Sequence, residues 1–281
     1  MASAGDLSFH EQRRASDHES FLAHKRMRWL KLAALICLVA ILGYAFADVG
    51  PRPNGGTWYG YTLGTVAALL IVWLALLGVR KRAMTRGRWS LKAWTSAHVY
   101  LGLSLIVIAT LHTGFQFGWN VHTLAYVLMM LVIASGAYGI IVYAMLPRSL
   151  SQNRRETTQA QMVEALAAID RQLEQAALPL ARAESDLVIA ALEQDTFGYG
   201  AIARLTGRYR NCRTEQALQR LDPTHERVIA LLGRRQAQLA QIRQHLRLKA
   251  LLEVWLYVHV PLTIALLGAL TAHIVSVFYY W

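Results

Sequence analysis

Cysteine is nearly missing from this chain: 281 residues contain only Cys37 and Cys212. Without a CxxC pair there is no iron-sulfur cluster motif, zinc ribbon, disulfide framework or CxxCH attachment site for a c-type haem. Any redox metal must be held by other side chains. Charge is scarce too, at 16% of residues against about 25% in a typical soluble domain, which argues against an ordinary cytosolic globule. From Ala93 to Pro147 there is no Asp, Glu, Lys or Arg at all. That stretch is long enough for two bilayer crossings of ~20 residues each. What the chain does have is 55% hydrophobic residues, a positive mean hydropathy and a formal net charge of +12.

Five apolar stretches are long enough to span a membrane as helices: Trp29 to Ala47, Thr57 to Val79, Ala93 to about Phe117, Val121 to Leu146, and about Ala250 to Tyr280. The first is longer than a signal-peptide apolar region and is followed by Asp48-Val49-Gly50-Pro51 where a cleavage site would need small residues, so a retained helix is expected. Lys and Arg concentrate around the first stretch (Lys25, Arg26, Arg28, Lys31) and after the second (Arg80, Lys81, Arg82, Arg86, Arg88, Lys92). The loop after the first stretch has only Arg52 against Asp48, and Gly118-Trp119-Asn120 has no charge. By the positive-inside bias the N-terminus is expected on the cytoplasmic side and the C-terminus on the opposite side, which is the periplasmic one if the membrane is the bacterial inner membrane. Tyr and Trp cluster on that second side at Trp58, Tyr59, Tyr61 and at Tyr279, Tyr280, Trp281, where an interfacial belt belongs.

The expected fold is an all-α integral membrane protein in four parts: a cytoplasmic tail at 1–28, four spans within 29–147, a cytoplasmic helical insert at 148–249 and a fifth span at 250–281. Glu156 to Ala177 and Glu226 to Leu248 have the apolar spacing of amphipathic helices. Asp222-Pro223-Thr224 reads as a helix start, and only the mild breaker Gly233 precedes Pro261, so one helix can run from there into the last span. Phe197 to Asn211 reads as a loop or a pair of short elements. The insert holds 16 Lys/Arg against 11 Asp/Glu, too mild a surplus to imply nucleic acid, and no aromatic stacking platform accompanies it.

Five histidines fall in or beside the apolar stretches: His98, His112, His122, His259 and His273. Ionisable groups are costly in a bilayer, so each is a candidate functional residue. His98 and His112 are separated by the same interval as His259 and His273, and that interval turns a helix within roughly 40° of four whole turns while advancing it about 21 Å. Each helix therefore presents two imidazoles on one face, one in each leaflet. With both helices running the same way, His98 pairs with His259 and His112 with His273. Two such pairs are what two non-covalent, bis-histidine b-type haems require, the macrocycle lying edge-on between the helices. Small residues suit that space: Gly102 and Ala109 on the third stretch, Thr263 and Ala269 on the fifth, Ser135, Gly136 and Gly139 on the fourth, Gly60 and Gly64 on the second. Gly60 and Gly64 fit a helix-packing motif equally well. His122 has no partner at this interval and sits beside Asn120 at a helix start, so it is expected to hydrogen-bond a neighbour rather than bind metal.

The pattern resembles the di-haem b-type membrane cytochromes, which include the cytochrome b of quinol-oxidising complexes and the membrane domains of ferric reductases and NADPH oxidases. The segments Ala97-His98-Val99-Tyr100-Leu101-Gly102-Leu103, Leu111-His112-Thr113-Gly114-Phe115, Ser135-Gly136-Ala137-Tyr138-Gly139, Leu146-Pro147-Arg148, Val258-His259-Val260-Pro261-Leu262 and Ala272-His273 are similar to those of a bacterial family of b-type subunits. Members of that family associate with multihaem c cytochromes or iron-sulfur flavoproteins. The resemblance implies a multi-pass subunit of the bacterial inner membrane, in contact with lipid and other redox subunits, with quinone as a further candidate. Ferric reductases and NADPH oxidases carry a flavin and nicotinamide domain after the membrane part, and with no such segment following the fifth stretch the chain is not expected to take hydride from NAD(P)H by itself. Gly198-Tyr199-Gly200-Ala201-Ile202-Ala203 fits only a relaxed dinucleotide fingerprint and follows a helical stretch where a strand is required.

The cations from Arg80 to Lys92 can face anionic lipid or haem propionates; Arg88 and Lys92, nearest His98 in sequence, are the propionate candidates. Three functions compete: a transmembrane electron conduit within a larger complex, a quinol dehydrogenase or quinone reductase, and a non-redox scaffold. The conduit is the expectation favoured here.

Overall fold

Long apolar runs interrupted by few glycines and prolines favour helix, and every regular element in the computed structural model is one. The structure describes residues 24–48, 54–82, 90–144, 155–195, 198–209 and 212–279, and among them there is no strand. The helices are α1 (His24–Phe46), α2 (Trp58–Arg82), α3 (Leu91–Thr113), α4 (Val121–Ala144), α5 (Arg155–Ala177), α6 (Arg182–Leu192), α7 (Ala201–Thr206), α8 (Arg213–Arg220) and α9 (Glu226–Tyr279). Five of them, α1 to α4 and α9, are long and apolar enough to cross a membrane. The N-terminal tail up to residue 23, Arg88 and the expected end of the fourth span at Leu146 lie outside the described residues.

Local chemistry sets the helix ends and moves some of them from where the sequence suggested. Ser90 starts α3, its Oγ accepting the Ala93 N–H at 3.2 Å. The helix stops at Thr113 rather than near Phe117 because Gly114 turns left-handed, with φ of 56°, and donates its N–H to Leu111 O at 3.1 Å. Asn120 caps α4 through Oδ1, which accepts the Thr123 N–H at 2.9 Å. The helix start read at Asp222 is displaced. Asp222 Oδ1 accepts from both the backbone and the hydroxyl of Thr224, at 2.9 and 2.8 Å, which closes a turn on itself and delays α9 to Glu226. Once begun, α9 runs unbroken through Pro261.

The chain divides into two compact units, one formed by 1–136 with 259–281 and the other by 137–258. In the first, α1, α2 and α3 pack through Trp29, Ala33, Leu63, Ala67, Ile71, Leu101, Leu105 and Ile108, joined by Met129 of α4 and Leu266 of α9. Gly43 of α1 lets the Tyr59 ring approach, and the Tyr59 hydroxyl donates to Ala40 O at 2.8 Å. Leu35, Val39, Leu69, Val79, Leu131, Ile264 and Phe278 point outward. Helices whose backbone groups are satisfied internally while their apolar side chains face out are the arrangement that lipid permits.

The second unit has the opposite organisation. Leu173, Val188, Ala191, Ala217, Leu231 and Leu232 are buried between α5, α6, α8 and the first part of α9, the inward apolar faces of amphipathic helices. Arg235 is only 1% exposed, and its guanidinium donates to Asp170 Oδ1 at 2.8 Å and to the Thr214 hydroxyl. Phe197 lies outside the described residues, and the stretch read as a loop or short elements contains the short helix α7. Arg243 lies over the rings of Tyr199 and Tyr209 and donates to Cys212 Sγ at 3.3 Å. Burial works to raise the Cys212 thiol, but Arg243 and the backbone N–H groups of Glu215 and Thr214 outweigh it and hold the thiol below its usual range.

Candidate functional site

The two histidines of α3 are held from α2. His98 Nδ1 lies 3.1 Å from Leu74 O, and His112 Nδ1 lies 2.8 Å from Gly60 O. A carbonyl can only accept, so in both rings the hydrogen is on Nδ1 and the lone pair is on Nε2. His259 on α9 reaches the same state by a longer route. Its Nδ1 is 2.8 Å from Ser135 Oγ, whose own hydrogen goes to Val132 O at 2.8 Å, leaving the hydroxyl oxygen to accept from the imidazole. Three imidazoles therefore present an unprotonated Nε2, the form in which histidine binds a metal.

Two of the four rings meet directly. His112 and His273 have centroids 6.0 Å apart and planes at 89°. A metal held between two imidazole nitrogens, at about 2.0 Å from each, would set the ring centres about 6 Å apart. Rotation about that axis leaves the angle between ring planes free. Among the described residues no three His, Cys, Asp or Glu side chains are grouped to hold a metal ion unaided. A porphyrin iron asks only for axial ligands, because the macrocycle supplies the other four positions. Imidazoles with the lone pair on Nε2 are donors that a haem iron could take.

Several glycines of the sequence pattern prove to serve different neighbours. A Cβ on Gly64 would lie 2.6 Å from His112 Cε1 and 2.9 Å from its Nδ1, so this imidazole occupies space that only glycine leaves. Gly60 supplies the carbonyl that orients the same ring, and Gly55 also abuts it. The helix-packing motif of α2 is thus a cradle for one histidine. Gly136 meets His259 more loosely, since a Cβ there would be 3.6 Å from Cε1. Gly102 faces Leu74 rather than an imidazole, and the room expected at Gly139 is filled by the Trp255 indole. Ala109 and Ala269 are buried. Lys92 stands in the first turn of α3, ahead of His98.

Sequence reasoning missed the supporting groups. The carbonyls of Leu74 and Gly60 carry no signal in a sequence, and Ser135 was read only as a small residue. Trp73 and Trp94 stack at 5.0 Å with planes 10° apart, next to Leu74 and one turn before His98; neither was singled out. His122 was expected to bond a neighbour, and the neighbour is His273: their Nδ1 atoms are 2.5 Å apart. Compared with known proteins, the chain matches no family model, no curated protein and no solved structure.

Proposed function

We propose that this chain is a di-haem b-type cytochrome that carries electrons across a membrane as a subunit of a larger redox complex. The observation that carries the reading is the shared state of His98, His112 and His259. Each gives its Nδ1 hydrogen to a neighbouring helix, which puts the lone pair, the metal-binding form of imidazole, on Nε2. The 6.0 Å approach of His112 to His273 supports a ligand pair at one level, and the interval from His98 to His112, repeated from His259 to His273, supports one at the other. When bound, the haem iron supplies reversible one-electron chemistry. The chain does the rest: Leu74, Gly60 and Ser135 fix ring orientation and raise ligand basicity, Gly64 leaves room for the His112 ring, and outward apolar side chains match the bilayer.

In this reading the N-terminus and the 148–249 insert are cytoplasmic and the membrane is the bacterial inner one, on the strength of the Lys/Arg distribution. His98 and His259 then form the cytoplasmic-side site, with Lys92 a propionate partner. The insert is the candidate docking surface for an iron-sulfur flavoprotein or other cytoplasmic donor. A multihaem c cytochrome is the corresponding candidate on the far side.

Pyridine haemochrome analysis of the purified full chain tests the reading directly. About two b haems per chain are expected, together with a b-type alpha band in the reduced-minus-oxidised spectrum. Fewer than about one per chain would overturn it. Haem reduction by a quinol analogue in the isolated subunit would shift the function to quinol oxidation. A C-terminal reporter active only in the cytoplasm would invert the topology.

A further inference from the structure

The fourth candidate ligand differs from the other three in what its Nδ1 meets. At His98, His112 and His259 the partner is an oxygen that can only accept in that position. At His273 it is a third imidazole, His122, with Nδ1 2.5 Å from Nδ1, centroids 4.6 Å apart and planes at 88°. Two lone pairs or two N–H groups would repel at that distance, so one nitrogen donates and the other accepts. His122 is held in place independently of His273. It is the second residue of α4, whose first turn is fixed by Asn120 Oδ1 accepting the Thr123 N–H at 2.9 Å and by the Gly118 N–H donating to Thr123 Oγ1 at 3.1 Å.

We infer that His122 is a positioning residue that accepts the Nδ1 hydrogen of His273 and so fixes its Nε2 as the fourth haem ligand. This rests on the di-haem reading. His122 carries its own hydrogen on Nε2 and stays out of the coordination shell. A neutral imidazole nitrogen, with a conjugate acid near pH 6.5, is a far stronger acceptor than a carbonyl or hydroxyl oxygen. His273 is therefore pushed further toward imidazolate than its counterparts, which strengthens its donation to ferric iron and lowers the potential of that one centre. The arrangement also explains a histidine that lies outside the repeated spacing.

The experiment is a spectroscopically monitored redox titration of the full chain, as wild type, His122→Ala and His122→Asn, with haem content and the low-spin EPR signals recorded for each. Asparagine places Oδ1 close to where His122 holds Nδ1, and so keeps an acceptor without an imidazole. In His122→Ala both haems should remain, one midpoint potential should rise with a change in one EPR signal, and the other centre should stay as it was. His122→Asn should move the shifted potential back toward wild type. Unmoved potentials in His122→Ala, or a shift that asparagine does not reverse, would overturn the inference while leaving the di-haem reading intact. Loss of one haem in His122→Ala, or two haems retained in His273→Ala, would make His122 a ligand and equally overturn the positioning role. A wild type without haem would remove the di-haem reading and this inference together.

Discussion

The same histidine spacing is supported in two different ways at its two ends. His98 and His259 lean on groups from the interiors of helices, the Leu74 carbonyl of α2 and the Ser135 hydroxyl of α4. His112 and His273 are held where helices begin: Gly60 in the first turn of α2, Gly55 just before it, and His122 in the first turn of α4. Helix interiors can offer a side-chain hydroxyl or a carbonyl already engaged in the helix. A helix start offers the same kind of engaged carbonyl, as at Gly60, since its orphan backbone groups are N–H donors, and adds a side chain such as His122. The contrast teaches that a periodic histidine pattern fixes which residues share a helix face, while the neighbours brought in by packing decide how each imidazole is held.

Removing a ligand should break the symmetry most severely. His112→Ala or His273→Ala is expected to take the haem content from about two per chain to about one, with the remaining signal that of the His98/His259 centre. His98→Ala should leave the complementary signal. Identical spectra from His98→Ala and His112→Ala would mean that the two levels are not separate centres.

Next in size is the glycine cradle, present at one level only. Gly64→Val puts carbon where the His112 ring lies, since a Cβ alone would be 2.6 Å from Cε1, so the His112/His273 haem should be lost and the other kept. Gly136→Ala adds an ordinary contact at 3.6 Å from His259 Cε1 and should leave both haems bound. Haem stoichiometry and EPR of the two variants check the asymmetry. Equal tolerance at both glycines would show that the cradle is not selective.

A smaller effect is expected from Ser135→Ala, which removes the acceptor of His259. Both haems should be retained, with the potential of the His98/His259 centre raised and its haem retention weakened about 10- to 100-fold. Competition with apo-myoglobin and a redox titration measure the two consequences. A change confined to the His112/His273 centre would contradict the assignment of Ser135.

The smallest effect on either site should come from the insert. Asp170→Ala leaves the Arg235 guanidinium, 1% exposed, without its carboxylate, a change that costs about 3 kcal/mol of local stability. Hydrogen exchange should accelerate in α5 and α8, while the spectra and potentials of both centres stay fixed. A shift in either potential would tie the insert to the sites.

Much of this was legible in the chain itself. Hydropathy alone marks the five apolar helices, because bilayer thickness imposes a length that little else in a protein demands. The interval from His98 to His112, repeated from His259 to His273, selects the ligand candidates because helical periodicity is local geometry. Boundaries were read less well. Gly114 ended α3 early by taking a conformation other residues resist, and Asp222 spent its side chain on a turn rather than a cap. The supports of the site were not legible at all, since Leu74 and Gly60 act through backbone carbonyls that every residue possesses.

The sequence by itself thus determined what repeats along one helix: apolar length, ligand spacing, and the charges and amphipathic faces that distinguish 148–249 from the rest. Tertiary structure decided which helix met which. Only the packing of α2 on α3 made Gly64 a cradle for His112, turned the Leu74 and Gly60 carbonyls into acceptors and fixed two tautomers. Only the approach of α4 to α9 gave His122 its partner. The physical reason is that periodicity and hydropathy act between near neighbours in the chain, whereas a hydrogen bond or a steric contact between helices depends on how separate helices are brought together.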